Sequence, residues 1–486
     1  MNVDLLSLNR RAFLNRSAGC VGGLALSSLL AREQAGSARA AHALDSSARG
    51  PLPGDAARVA LAAGQPTPKA KAVICLFQFG GPSQMDLFDP KPELTRLNGQ
   101  PHPGKLDVHF VAQAGNLLAS PFQFSKHGHS GIELSEAIPH TAGIADEITL
   151  IRSMHTFTVD HEAGLRLIHN GKNQLGRPSC GAWLSYALGA ETENLPSYVV
   201  LADPGGLPID GVRNWSSGFL PAEHQGTPFR AGPSPVLNVR TPQSVGPTTR
   251  RGQLEFLDRL NGLHRERYPE NTELSARIAN FEMAARMQTA VPEVLDFADE
   301  SEETRKLYGL DRPETEEYGR RCLLARRLVE RGVRYVEIIL SGQPWDTHKN
   351  NAKQLQNVAG GIDQPSAALV RDLKRRGLLD STVVWWTGEF GRLPISQGPD
   401  GRDHNGQGFS CWLAGGGFRP GYVHGATDEF GYKAVDDVVS VHDLHATLLY
   451  SLGLDHQRLT YPNDGRDDSL TDVVVSGAKP ELRLLG

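Results

Sequence analysis

The chain has 486 residues and a net charge of −5, from 50 basic and 55 acidic side chains. No basic cluster marks the mature chain, which leaves a nucleic-acid partner without an electrostatic footprint. The 52 glycines and 31 prolines imply tight turns and long loops, an enzyme-like scaffold more than a helical bundle. In chain order, Arg10-Arg11 before Phe13-Leu14, the apolar run 18–30 and the small-x-small segment 37–40 read as a twin-arginine signal peptide over 1–41. The run is too short to span a bilayer, and no other apolar run in the mature chain is long enough. The expected location is therefore periplasmic or secreted. Residues 42–70 read as a low-complexity linker rich in Ala, Gly and Pro, and 71–486 as one domain.

Residues 71–77 are a largely apolar run with β-branched members, short enough for a buried strand of a parallel sheet. A helical pattern over 320–331 stops at Gly332, and 333–340 reads as a second buried strand. The theme repeats with a helix over 365–376, Gly377 as its stop, and a strand over 382–386. A short strand at 410–414 and a helix over 442–452 close the chain. This alternation predicts an α/β fold with a mostly parallel central sheet flanked by helices. A charged helical insertion is expected over about 250–330, with Leu274, Ile278, Phe281 and Ala285 as its apolar stripe. The loop 203–249 is too irregular to assign. Cys75, Cys180, Cys322 and Cys411 stand far apart without a C-x-x-C pair and read as buried thiols.

In open parallel sheets, functional groups gather beyond the carboxyl ends of the strands. The first strand leads to Gly80-Gly81-Pro82-Ser83 and Asp86, the second to Trp345-Asp346-Thr347-His348, and the third to Gly388-Glu389 and Arg392. One loop later comes Arg402-Asp403-His404. Carboxylates and imidazoles brought from separate strands to one sheet edge suit a divalent metal, which needs anionic oxygens and neutral nitrogens together. Asp346 and His348, two apart in an extended segment, can face one side. Asp86 is preferred to Asp89, because Asp89-Pro90 can simply build a turn. Arg392 and Arg402 flank the same loops and can clamp an anionic oxygen group.

The phrases GGPSQMDLFDPKP (80–92), RSMHT (152–156), NWSSGFLPAEHQG (214–226), WDTH (345–348), EFGR (389–392), GRDHNG (401–406) and DGR (464–466) resemble the exported bacterial family catalogued as domain of unknown function 1501. The resemblance runs from about residue 71 to 474. It implies an alkaline phosphatase/sulfatase-like fold and a metal-dependent hydrolase of sulfate or phosphate esters, acting on a small-molecule or glycan ester. It also implies one or two divalent ions (Zn, Ca or Mn). Carried over by residue, Asp86 stands at the first-strand ligand, Asp346 and His348 at one metal, and Glu389 and His404 at the other. Asp403 then serves as ligand or support, His161 lies near the reacting centre, and Arg402 meets the substrate anion. The family's hydroxyl or thiol nucleophile is missing near 159–162, and Cys180 lacks the Pro and Arg that follow a sulfatase nucleophile. Three outcomes stay open: attack by His161 or by a water on the cation, attack by Thr156 or Thr158, or a non-catalytic envelope or ligand-binding protein that keeps the fold.

Overall fold

The computed structural model describes residues 65–230, 245–268 and 272–486. The expected leader and most of the linker lie outside these residues. The run Ala72–Phe77 forms strand β1, every residue of which is buried. Such a strand has no solvent face to mark with polar residues, which is why it reads as a continuous apolar run. Its two neighbours in the sheet are β5 (Tyr335–Ile339) and β6 (Thr382–Thr387), both parallel to it and both wholly buried. The sheet is completed by β2 (Ile148–His155), β3 (Tyr198–Leu201), β4 (Thr227–Phe229), β9 (Phe409–Ala414) and β10 (Tyr422–His424), in the order β10-β2-β9-β6-β1-β5-β3-β4. The two-residue strand Val439–Ser440 adds to β2. Only β9 runs against the rest. It arrives from a hairpin, β7 (Gly391–Gln397) and β8 (Gly401–Asn405), and not from a crossover helix, so it has no means of reversing direction.

The helices that place the site are α1 (His161–Asn170), α2 (Cys180–Leu188), α5 (Pro313–Glu330), α6 (Asn351–Arg375) and α7 (Val441–Ser451), with α3 (Pro247–Arg267) and α4 (Thr272–Leu295) between α2 and α5. Helix α5 begins seven residues before the predicted start, with Pro313 in its first turn, where a missing N–H costs nothing. Helix α6 is longer than predicted because Pro365 lies inside it and does not start it. Gly360 and Gly361 occupy the turn before that proline. Ser440 and Asp443 close a reciprocal capping box at the start of α7.

The inserted helix α4 buries Ile278, Met287, Val291 and Val294. The predicted stripe fails at Phe281, which is 72% exposed. Helix α5, within the same expected insertion, packs on β5 and α6. The loop after β3 holds two 3-10 turns, Gly211–Trp215 and Ala222–His224; residues 231–244 lie outside the described part. All four cysteines of the described chain are buried and free. No helix among the described residues is long and apolar enough to cross a membrane.

Candidate metal centre

The strand ends meet at one sheet edge. His161 follows β2 as the first residue of α1, whose start is capped by the Asp160 carboxylate accepting from Ala163 N–H at 3.0 Å. The far end of α1 is held by His445 and His442, whose Nε2 groups donate to the Ile168 and Gly171 carbonyls at 2.9 and 2.6 Å. Inside the helix, His169 bonds the fully buried Glu337 of β5, which also accepts from Tyr198 Oη at 2.6 Å. These contacts leave α1 little freedom to slide or turn, so His161 is presented in one place. Asp346 and His348 come from the loop after β5. Gly80, at the end of β1, lets that loop approach: a Cβ there would lie 2.7 Å from Asp346 N, and its φ of +116° suits glycine. Glu389 follows β6, and His404 sits in β8 directly opposite Arg392 of β7.

Three imidazoles converge on one carboxylate oxygen. The Nε2 atoms of His161, His348 and His404 lie 3.3, 3.0 and 3.1 Å from Asp346 Oδ1, and Arg392 Nη2 lies 2.6 Å from it. Each ring has its other nitrogen facing an acceptor. His161 Nδ1 donates to Glu389 Oε1 at 2.6 Å, His404 Nδ1 to the Val159 carbonyl at 2.6 Å, and His348 Nδ1 to Gln397 Oε1. Gln397 presents its oxygen there while its amide nitrogen donates to Gln113 Oε1 at 2.9 Å. With the proton on Nδ1 in all three rings, three Nε2 lone pairs point at a carboxylate, an arrangement that repels unless positive charge lies among them. His161 Nε2 is buried and makes no hydrogen bond. Among the described residues two overlapping donor groups result, His161 with Asp346 and His404, and His348 with Asp403 and His404, each with its ligand atoms within 4.8 Å of one another, and imidazole nitrogens beside carboxylate oxygens suit a divalent cation.

The electrostatics supply that positive charge as a proton on one of the rings. Burial works against the Asp346 charge, yet the three histidines around it and the Arg392 charge hold its carboxyl far below the ordinary range. Burial likewise disfavours charge on His161, but Asp346 and Glu389 outweigh it and raise its pKa to about 9. Burial, aided by Arg392 and His161, pushes His404 down to about 4. One ring of the cluster thus takes up positive charge while its neighbour refuses it. Phe79 and Phe390 wall the His161 ring at 5.8 and 4.9 Å between centroids.

The predicted residues divide into two groups. Asp346, His348, His404 and His161 are brought together, with His161 among the donors and not apart from them as the nucleophile reading supposed. Glu389 stands behind His161, its carboxylate also accepting from Gly80 N–H at 2.9 Å. Asp403 lies beside His348 and His404, its donor atom within 4.8 Å of theirs, and its carboxylate accepts from Phe110 N–H and His404 N–H at 2.7 and 2.8 Å. Asp86 and Arg402 are elsewhere occupied. Arg402 grips both Asp86 oxygens at 2.7 and 2.9 Å, and both side chains are wholly buried. Ser83 and Asn351 also donate to Asp86, at 2.7 and 2.9 Å. The expected ligand and the expected anion clamp therefore neutralise each other, because the turn Gln84–Leu87 carries Asp86 inward. Arg392 spends its guanidinium on Asp346 and on the carbonyls of Gly80, Gly81, Trp345 and Arg402. Gln397 and Val159 as holders of the cluster had no signal in the sequence, whereas Arg392, read there as a clamp for an anionic oxygen group, is found on the Asp346 carboxylate. Cys180 opens α2 fully buried, its thiol pushed far up by desolvation and by Glu337, the opposite of an activated nucleophile. Thr156 is buried, and Thr158 Oγ1 accepts from Asp160 N–H at 3.2 Å.

No curated protein matches the chain in sequence. Among solved structures, the chain is similar to PsFucS1 sulfatase from Pseudoalteromonas sp., at 12% identity over 83% of this chain and 72% of that one, with a TM-score of 0.34. It is also similar to the phosphonate monoester hydrolase SpPMH from Silicibacter pomeroyi, at 10% identity over 85% and 78%, TM-score 0.33. A TAB5 alkaline phosphatase variant with Mg bound gives 11% identity over 80% and 99%, TM-score 0.35. Likeness at this level says nothing about the chemistry of the chain. A family model, in contrast, matches residues 70–479, nearly the whole described chain and every motif that builds the cluster. The chain belongs to the family described as Protein of unknown function (DUF1501).

Proposed function

We propose that the chain is an exported hydrolase whose centre holds a divalent cation on His161, His348, His404 and Asp346, and that it acts on sulfate or phosphate esters. The observation that carries the metal reading is the convergence of three Nε2 atoms on Asp346 Oδ1 with every Nδ1 already bonded to oxygen. Nitrogen-rich donors favour zinc over calcium or manganese, which suit oxygen ligands. The cluster is open on one flank: the Asp346 and His348 side chains are 19% and 27% exposed. Purely structural metal sites are closed, whereas catalytic ones keep a position for substrate or water. A bound divalent cation supplies Lewis-acid polarisation and lowers the pKa of water towards neutrality. In this arrangement Glu389 fixes the His161 tautomer, Gln397 and Val159 fix the other two rings, and Phe79 and Phe390 limit water on the inner side.

The ester class rests on the motif resemblance. A second reading, a metal-binding protein without catalysis, is favoured by one finding: both arginines expected at a substrate anion are used internally. A screen of aryl phosphates and aryl sulfates with ion-loaded protein separates the two. Turnover that disappears with the ion, and in His348→Ala, supports the hydrolase; a protein that binds the ion and turns over neither class supports the second reading.

Export rests on the arginine pair, since recognition of such a leader depends on both guanidinium groups. Arg10→Lys with Arg11→Lys is expected to leave the precursor in the cytoplasm, as read by fractionation. Normal export of that double variant would contradict it.

A further inference from the structure

We propose that the open flank of the centre is a subsite for the flat apolar face of a substrate's non-reacting group, formed by Phe110 and Phe157. The inference rests on the metal-centre reading above. Phe110 places its ring edge 5.5 Å from His348 and 6.4 Å from His404, between centroids, while its N–H is pinned to Asp403. His348 is the most exposed of the three imidazoles, its side chain 27% exposed against 10% and 6% for His161 and His404, so the Phe110 ring borders the side of the centre nearest solvent. Next to it, His109 stacks on His404 at 5.6 Å. The segment is anchored at its far end too: Gln397 donates to Gln113 Oε1, and Gly398 N–H to the Gln113 carbonyl at 3.0 Å. The side chain that orients His348 thus also ties down the segment that carries Phe110.

Phe157 lies in the segment that joins β2 to α1. Thr156 N–H donates to the Gly406 carbonyl at 2.8 Å, and the Val159 carbonyl accepts from His404, so the residues bracketing Phe157 are fastened to β8 and its exit. Yet Phe110 is 39% and Phe157 66% exposed. Two phenyl rings held in water on backbone tied to the donor residues forgo the burial that normally stabilises such rings. Apolar surface around a few convergent polar groups is the make-up of a small-molecule site. An aryl group and the C–H face of a sugar ring share the chemistry that would cover these rings.

Calorimetric titration of ion-loaded protein with phenylphosphonate, methylphosphonate and glucose 1-phosphate tests this. The expected result is that phenylphosphonate, glucose 1-phosphate or both bind about tenfold more tightly than methylphosphonate. Which of them does so identifies an aryl or a sugar face. In Phe110→Ala, and less in Phe157→Ala, that ratio is expected to fall towards one, with ion content showing that the centre is intact. Equal affinities for all three ligands, or a ratio untouched in both variants, overturns the subsite and leaves the metal centre standing. Ion-loaded protein that binds none of the three overturns the subsite together with the ester reading. A protein that takes up no ion overturns the metal centre first.

Discussion

Asp346→Ala is expected to lower divalent-ion affinity more than 100-fold and to abolish any ion-dependent turnover. The magnitude follows from position. Removal of a group merely supporting a ligand already costs 10- to 100-fold, and Asp346 supplies the single carboxylate on which all three Nε2 atoms converge. Without it the cation would face three neutral nitrogens with the Arg392 guanidinium beside them, a cation left without its anion. Equilibrium dialysis with zinc or manganese followed by elemental analysis reads the effect. Retention of wild-type affinity would show that the carboxylate serves only as the partner of Arg392.

Asp86→Ala is expected to do the reverse: to destabilise the fold by about 3 to 5 kcal/mol while the ion stays bound, because removing one member of a buried pair strands the other charge. Arg402 has no route to water, since neither side chain of the pair is exposed. Its remaining partners are the Leu393 and Leu118 carbonyls, which carry no charge to offset it. Burial disfavours the Asp86 charge, yet Arg402, Ser83 and Asn351 hold its carboxyl below the usual range. Its stabilising share is therefore present above the unfolded pKa near 4 and lost as pH falls through the lower folded value. Urea unfolding of the ion-free protein at neutral pH gives the first quantity and dialysis the second. Loss of the ion at unchanged stability would return Asp86 to the ligand set.

Much of the sheet could be read from the chain because its central strands are buried on both faces. Val73 to Phe77 and Val383 to Trp386 carry no solvent-facing residue to interrupt the apolar run. Asp346 and His348 were legible for a local reason, their alternation in an extended loop. The hairpin of β7 and β8 was not, because its polar residues are buried: Arg392, Gln397, Arg402, Asp403, His404 and Asn405 all point into the protein, so no period-two pattern of apolar and polar residues marks it. The hairpin is also what sets Arg392 opposite His404 and closes the cluster. Asp86 and Arg402 each look like functional groups in their own motifs. That they neutralise one another is a tertiary fact with no local trace, as is the use of Gln397 and Val159 to orient imidazoles.

X-ray absorption at the metal edge of zinc-loaded protein tests the centre most directly. The account predicts imidazole scattering from three histidines, with nitrogens at about 2.0 to 2.1 Å and a carboxylate oxygen in the same shell, and its loss in Asp346→Ala. A shell of oxygens without imidazole scattering, or a protein that retains no zinc after dialysis, would contradict it.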